Sequence, residues 1–316
     1  TGLAKLPFFR GVASLVESLR LGSEALRYSV DQVQADWGDD APAPPKALSS
    51  VLRAIGYQLF LFASADGDGG STPQRGDTAQ KGIGPMLVIM VAFLIALPQL
   101  TAYAMMKLFH VDWSVTSVRF QVLTGAMKLG IVLGYLLLIR RLPDIRRVFQ
   151  YHGAEHKTIS TYEANEPLDV DHARAKTKLH PRCGTTFLVM IVIISVVLFA
   201  ILGAFLPAKL TGSRALDNVV FFLLKLPALP LLAAVTFEIQ RIFARYCTTG
   251  PLRALLLPGF LVQRITTIEP DDDQLEVALA SLRATLFREQ GHAGDGSSDI
   301  AFPTYAAMTN AESLRV

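Results

Sequence analysis

Charge is scarce in this chain and cysteine almost absent: 18% of the 316 residues are charged and only two are cysteine. So low a charged fraction, beside 51% hydrophobic residues and a mean hydropathy of +0.37, excludes an ordinary soluble domain of this size. Cys183 and Cys247 cannot build a disulfide framework, so stability is expected from packing and from the bilayer. Charge of either sign is nearly balanced, with 30 Lys and Arg against 27 Asp and Glu. A net +3 without a clustered basic face argues against nucleic acid as a partner. No repeat of fixed period is visible. The chain starts at Thr1 rather than Met, so the native start is expected to lie outside it, and residues 1–37 lack the uninterrupted apolar stretch of a signal peptide.

What is present is a set of long apolar runs. Gly84 to Met106 carries no charge. At about 1.5 Å per residue it reaches roughly 34 Å, enough to cross a hydrocarbon core of ~30 Å. Phe120 to Ile139 is interrupted by Lys128, Phe187 to Leu206 is uncharged, and Asn218 to Phe237 contains Lys225, Pro227 and Pro230. The expected fold is an all-α membrane protein with about four transmembrane helices. Arg140, Arg141, Arg146, Arg147 and Lys157 follow the second run, and Arg241, Arg245, Arg253 and Arg264 follow the fourth. The opposite loops offer only Lys107, Arg119, Lys209 and Arg214. This bias puts both termini and residues 140–185 on the cytoplasmic side. Lys128 and Lys225 are expected to face the bundle interior or a wet cavity, Lys128 pairing with a carboxylate or serving transport, with snorkelling toward the outer surface the alternative for Lys225.

The organisation follows. Residues 1–63 read as amphipathic helices, with Phe8, Val12, Leu15, Leu19, Leu26 and Val30 on one apolar face and Leu48, Leu52, Ile55, Leu59 and Phe62 on a second. Residues 64–83 are a Gly, Ser, Asp and Thr-rich linker. Transmembrane helices fill 84–139 and 186–237 around the loop 140–185. Residues 238–288 combine a re-entrant or interfacial segment at Ala254 to Val262 with a C-terminal amphipathic helix. That helix starts at Pro270 and carries a stripe of Leu275, Leu279, Leu282 and Leu286. Residues 289–316 read as a tail.

The chemistry concentrates in the loop 140–185. There FQYHGAEHKTISTYE places His152, Glu155 and His156 as H-x-x-E-H. On a helix the two histidines are four apart and share a face, so both imidazoles can meet one metal ion, while Glu155 is offset by one position and can shuttle a proton. A divalent ion, with zinc the best match, acts as a Lewis acid and lowers the pKa of bound water to ~7. Gly153 opposes the helix by about 1 kcal/mol relative to Ala. Of six histidines, His152, His156, His172 and His180 all fall in this loop, and HPRCGTTF adds Cys183 as a soft ligand three residues after His180. Glu238 and Glu269 are candidate third ligands. Two shells follow: His152, His156 and a carboxylate leave a position open for catalysis, whereas His152, His156, His180 and Cys183 close a structural site.

The segments PFFRGVASLVESLRLGSEAL, FQYHGAEHKTISTYE, HPRCGTTFL and PGFLVQRITTIEPDDDQLEVAL resemble the bacterial YqhQ-like membrane proteins, a family of unknown function described as predicted metal-dependent enzymes. The resemblance covers most of the chain. It implies a multi-pass protein of the bacterial inner membrane with a metal site at His152, Glu155, His156, His180 and Cys183, and a Gly-rich segment ahead of the first helix that these residues do not include. The function expected is a membrane-embedded metal-dependent hydrolase acting on a membrane lipid or membrane peptide at the cytoplasmic interface. The alternative is a non-catalytic scaffold or assembly factor with a structural metal, and a transporter built on Lys128 and the proline-broken run is a third reading.

Overall fold

The computed structural model describes scattered positions between residues 10 and 28, then residues 92–247, 250–290 and 304–310, and every regular element among them is helical. A π-helical turn, Ala92–Ala96, leads into α1 (Leu97–Leu108). Then come α2 (Val118–Ile139), α3 (Pro143–Glu163), the short α4 (Val170–Ala175), α5 (Gly184–Ala204), α6 (Arg214–Lys225), α7 (Leu229–Tyr246), α8 (Leu257–Thr266), α9 (Asp272–Glu289) and α10 (Tyr305–Asn310). Three stretches are long and apolar enough to cross a membrane: α2, α5 and the 33-residue composite Arg214–Tyr246. The chain is an all-α membrane protein. The expected run Gly84 to Met106 begins outside the described residues and ends in α1, while residues 29–91, with the second amphipathic segment and the linker, lie outside them entirely.

The composite span shows how its prolines are tolerated. A 3₁₀ turn, Leu226–Ala228, separates α6 from α7, and Pro227 and Pro230 each fall in the first turn of the piece they open. A missing N–H costs nothing there, because those donors have no intrahelical acceptor.

By contacts the chain forms two units, one of residues 1–136 with 181–262 and one of 137–180 with 263–316. In the first, α1 packs on α6 and α5 on α7, and Ala102, Met106, Val115, Phe120 and Phe221 form a buried cluster. Gly125 lets α2 close on α5, since a Cβ there would lie 2.3 Å from Val196 Cγ2. Ile193, Val197 and Ile201 on α5 remain exposed four residues apart, a stripe suited to hydrocarbon.

In the second unit, α3 packs on α9 and α4 around Ala154, Ala173, Leu275 and Leu279, all fully buried. The sequence sets both ends of α3. Pro143 and Asp144 open it, and Asn165, at φ 54°, closes it with the paired bonds Asn165 N–H to Tyr162 O and Glu166 N–H to Thr161 O. Asp271 and Gln274 cap α9, with Gln274 Oε1 accepting the Asp271 N–H at 3.0 Å. Within the segment expected to be a tail, α10 is folded. Met308 is buried, and the Tyr305 hydroxyl donates to Leu168 O and accepts from Arg283 Nε, both at 2.9 Å. Two well-placed polar contacts and one apolar anchor hold so short a helix, and composition alone does not signal them.

Candidate metal centre

The H-x-x-E-H stretch lies in the second half of α3, and the helix holds through Gly153. The residue that weakens the helix is required for what crosses it. The segment after α8 passes over α3, with the Ile268 N–H donating to Phe149 O at 2.9 Å, and a Cβ on Gly153 would stand 2.2 Å from Ile268 O. Only glycine admits so close a backbone approach. This crossing brings Thr266 O within 3.0 Å of His152 Nδ1.

His156 is held in the same way, its Nδ1 lying 2.7 Å from Lys178 O. A carbonyl oxygen only accepts, so both Nδ1 atoms carry the proton and both neutral rings present Nε2 as the lone-pair nitrogen. The centroids are 4.4 Å apart in an edge-to-face arrangement. Burial holds both imidazoles well below the ordinary range. His152 is lowered to about 4 by desolvation, partly offset by its bond to Thr266, and His156 to about 3 by desolvation and then the neighbouring His152. Neutral, tautomer-fixed imidazoles are the form that binds a metal.

His180 joins this pair, its ring 5.8 Å from that of His156. Gln263 grips its backbone at both atoms, accepting the His180 N–H at 2.9 Å and donating to its carbonyl at 2.6 Å. The His180 ring Nε2 is 3.2 Å from Glu163 Oε2. His172 stands in a different setting, half exposed and paired with Asp169, the cap of α4.

Glu155 keeps an exposed face, yet the protein packed around it desolvates its carboxyl and pushes it up to about 7. Water contact opposes that rise, so upward is the direction that the surroundings support. Glu269 forms an ion pair with the buried Lys157, whose Nζ also donates to Arg174 O at 2.8 Å, and lies 3.7 Å from Lys178 Nζ. Glu238 and Cys183 belong to the other unit. There Glu238 is gripped by both Nε and Nη2 of Arg10, and Cys183 is buried at the start of α5, its Sγ capping the Thr185 N–H at 3.4 Å and its carbonyl accepting from Gln240 at 3.3 Å. Within the second unit, His152 and His156 make a buried pair of nitrogen donors suited to a divalent ion.

Glu163, Gln263 and the carbonyls of Thr266 and Lys178 escaped the reading of the sequence. Glu163 was within reach of it, since it lies seven residues beyond His156 on the same helix face. The carbonyls carry no residue-type signal at all.

Comparison with known proteins agrees with the resemblance. No solved structure matches the chain. "Uncharacterized protein YqhQ" of Bacillus subtilis (strain 168) is 27% identical over 283 residues, covering 89% of this chain and 77% of the relative. The family model described as "Protein of unknown function (DUF1385)" matches residues 6–288, and the chain belongs to that family.

Proposed function

We propose that the protein is a membrane-bound metal-dependent hydrolase whose site, on the cytoplasmic side, is built on the second half of α3. One observation carries this reading: His152 and His156, adjacent on one helix face, both donate Nδ1–H to a backbone carbonyl, which fixes the tautomer that puts the ring lone pair on Nε2, the form a metal ligand takes. A divalent ion there, zinc by its taste for nitrogen and sulfur donors, would supply Lewis acidity. Glu155 would take and return a proton. Its carboxyl is shifted upward, the direction that suits such an exchange, and its place beside the ligands rather than among them leaves it free to change protonation. The substrate class follows from the setting, a lipid or a membrane peptide whose labile bond reaches the interface. The inner membrane of a bacterium, with both termini cytoplasmic, is the location proposed.

A second reading has its own support. His180 lies near His156 and is fixed at both backbone atoms by Gln263, and buried Cys183 follows it by three residues. A shell of His152, His156, His180 and Cys183 would be structural, and the protein a scaffold or assembly factor. Metal content and complementation of a deletion strain separate the two. Glu155→Gln should abolish complementation at normal protein level and metal content, while Cys183→Ser keeps partial function. A harmless Glu155→Gln beside a Cys183→Ser that loses metal and protein together selects the scaffold.

A further inference from the structure

The four apolar runs contain two lysines and no acidic residue. Both lysines face the protein interior. Lys225 does not snorkel: it is 1% exposed, its Nζ donating to Gln99 Oε1 at 2.8 Å. Lys128 is 7% exposed and donates to Ser195 Oγ at 3.0 Å. No carboxylate pairs with either among the described residues. Both ammonium groups face one aromatic ring, that of Phe199, at 5.9 and 5.0 Å from its centroid, and Lys225 also lies 4.7 Å from the Phe221 centroid. Two like charges sharing a ring in a low-dielectric interior repel one another, and hydroxyl, amide and ring contacts only partly offset the loss of water.

A third donor adjoins them. Asn218 is 6% exposed, and its Oδ1 accepts from Gln99 Nε2 at 2.8 Å, so Gln99 links it to Lys225. Its Nδ2 is buried with no hydrogen-bond partner among the described residues. A buried amide donor left unmatched is costly unless a ligand takes it. Each ammonium uses one of its three N–H groups on the acceptor named above. The cluster therefore presents donors in excess and positive charge, drawn from α1, α2, α5 and α6 of a single unit. Its complement is a group that only accepts. A carboxylate has two oxygens, whereas a phosphate spreads its charge over more and matches two cations and an amide better.

We propose that Lys128, Lys225 and Asn218 form a binding site for a phosphate oxyanion within the membrane-spanning part of the protein. The phosphate belongs either to an anionic lipid headgroup drawn inward between the helices or to a free phosphate. The exposed Leu100, Leu216, Val219 and Leu223 on α1 and α6 offer apolar surface along which acyl chains can lie.

The test uses the full chain in phosphatidylcholine nanodiscs. Phosphatidylglycerol retention is read by native mass spectrometry, and inorganic phosphate binding by calorimetry. Wild-type protein should retain phosphatidylglycerol over phosphatidylcholine or bind phosphate, and Lys128→Gln with Lys225→Gln should weaken this at least about tenfold, the scale of one charge-assisted hydrogen bond. Retention without phosphate binding assigns the site to a lipid, and phosphate binding assigns it to the free ion. Should the double variant not fold, Asn218→Leu, which keeps both lysines, should lower affinity several-fold, and Lys225→Arg should preserve it. Wild-type protein that shows neither preference, or folded variants that bind as wild type does, would overturn the proposal.

Discussion

Gly153→Ala sets two effects of opposite sign against each other. In an exposed helix the change stabilises by about 1 kcal/mol, because alanine is the better helix former. Here the added methyl would meet Ile268 O at 2.2 Å, and that neighbour is backbone rather than a rotatable side-chain end. Restoring ordinary contact requires the strap over α3 to retreat by roughly 1 Å. Overpacking of this kind costs about 1–3 kcal/mol, and loosening the 2.9 Å bond from Ile268 N–H to Phe149 O adds about 1 kcal/mol. After the helix gain, a net loss of about 1–3 kcal/mol remains. The retreat also draws Thr266 O from His152 Nδ1, which removes the carbonyl that fixes the ring's tautomer. Losing such an outer partner lowers metal affinity about 10–100-fold. Thermal unfolding in detergent, with and without zinc, and chelator competition measure both effects. A Gly153→Ala protein that melts higher than wild type and binds metal equally well would refute the close-approach account.

Replacing His152 or His156 by Ala should sharply reduce bound metal in purified protein, and stoichiometric metal in the double variant would remove the motif from consideration. Acid should destabilise the metal-free protein through the same pair. Both folded-state pKa values lie below the unfolded value near 6.5, so their contribution is complete above that pH and is lost as pH falls toward about 4 for His152 and about 3 for His156. Melting temperature should decline across that window, and His152→Gln should flatten the decline. Tyr305→Phe removes the hydroxyl that joins Leu168 O and Arg283, so hydrogen exchange in α10 should rise by an amount corresponding to about 1 kcal/mol, with unchanged exchange as the contrary result. Thiol labelling should reach cysteines at Asp112 and Gly212 from outside and at Ser160 and Pro270 only from inside. Opposite sidedness of Ser160 and Pro270 would end the cytoplasmic-site reading.

The sequence by itself determined the features that depend on neighbours along the chain. Apolar runs longer than a bilayer is thick can only be helices in lipid, because no other open structure satisfies its own backbone there. The four-residue spacing of His152 and His156 puts both on one face of whatever helix holds them. Only the tertiary structure decided what meets that face. The carbonyl that fixes His152 comes from Thr266, 114 residues away, and every residue type carries such a carbonyl, so no pattern announces it. Gly153 read as a flaw in the helix until the strap laid across it gave the missing Cβ a reason. Lys225 had the spacing of a snorkelling residue and became a buried cation because Gln99 and two aromatic rings enclose it. Periodicity reports which way a side chain leaves its own helix, whereas its protonation, its partners and the room around it are set by segments that the fold brings from elsewhere.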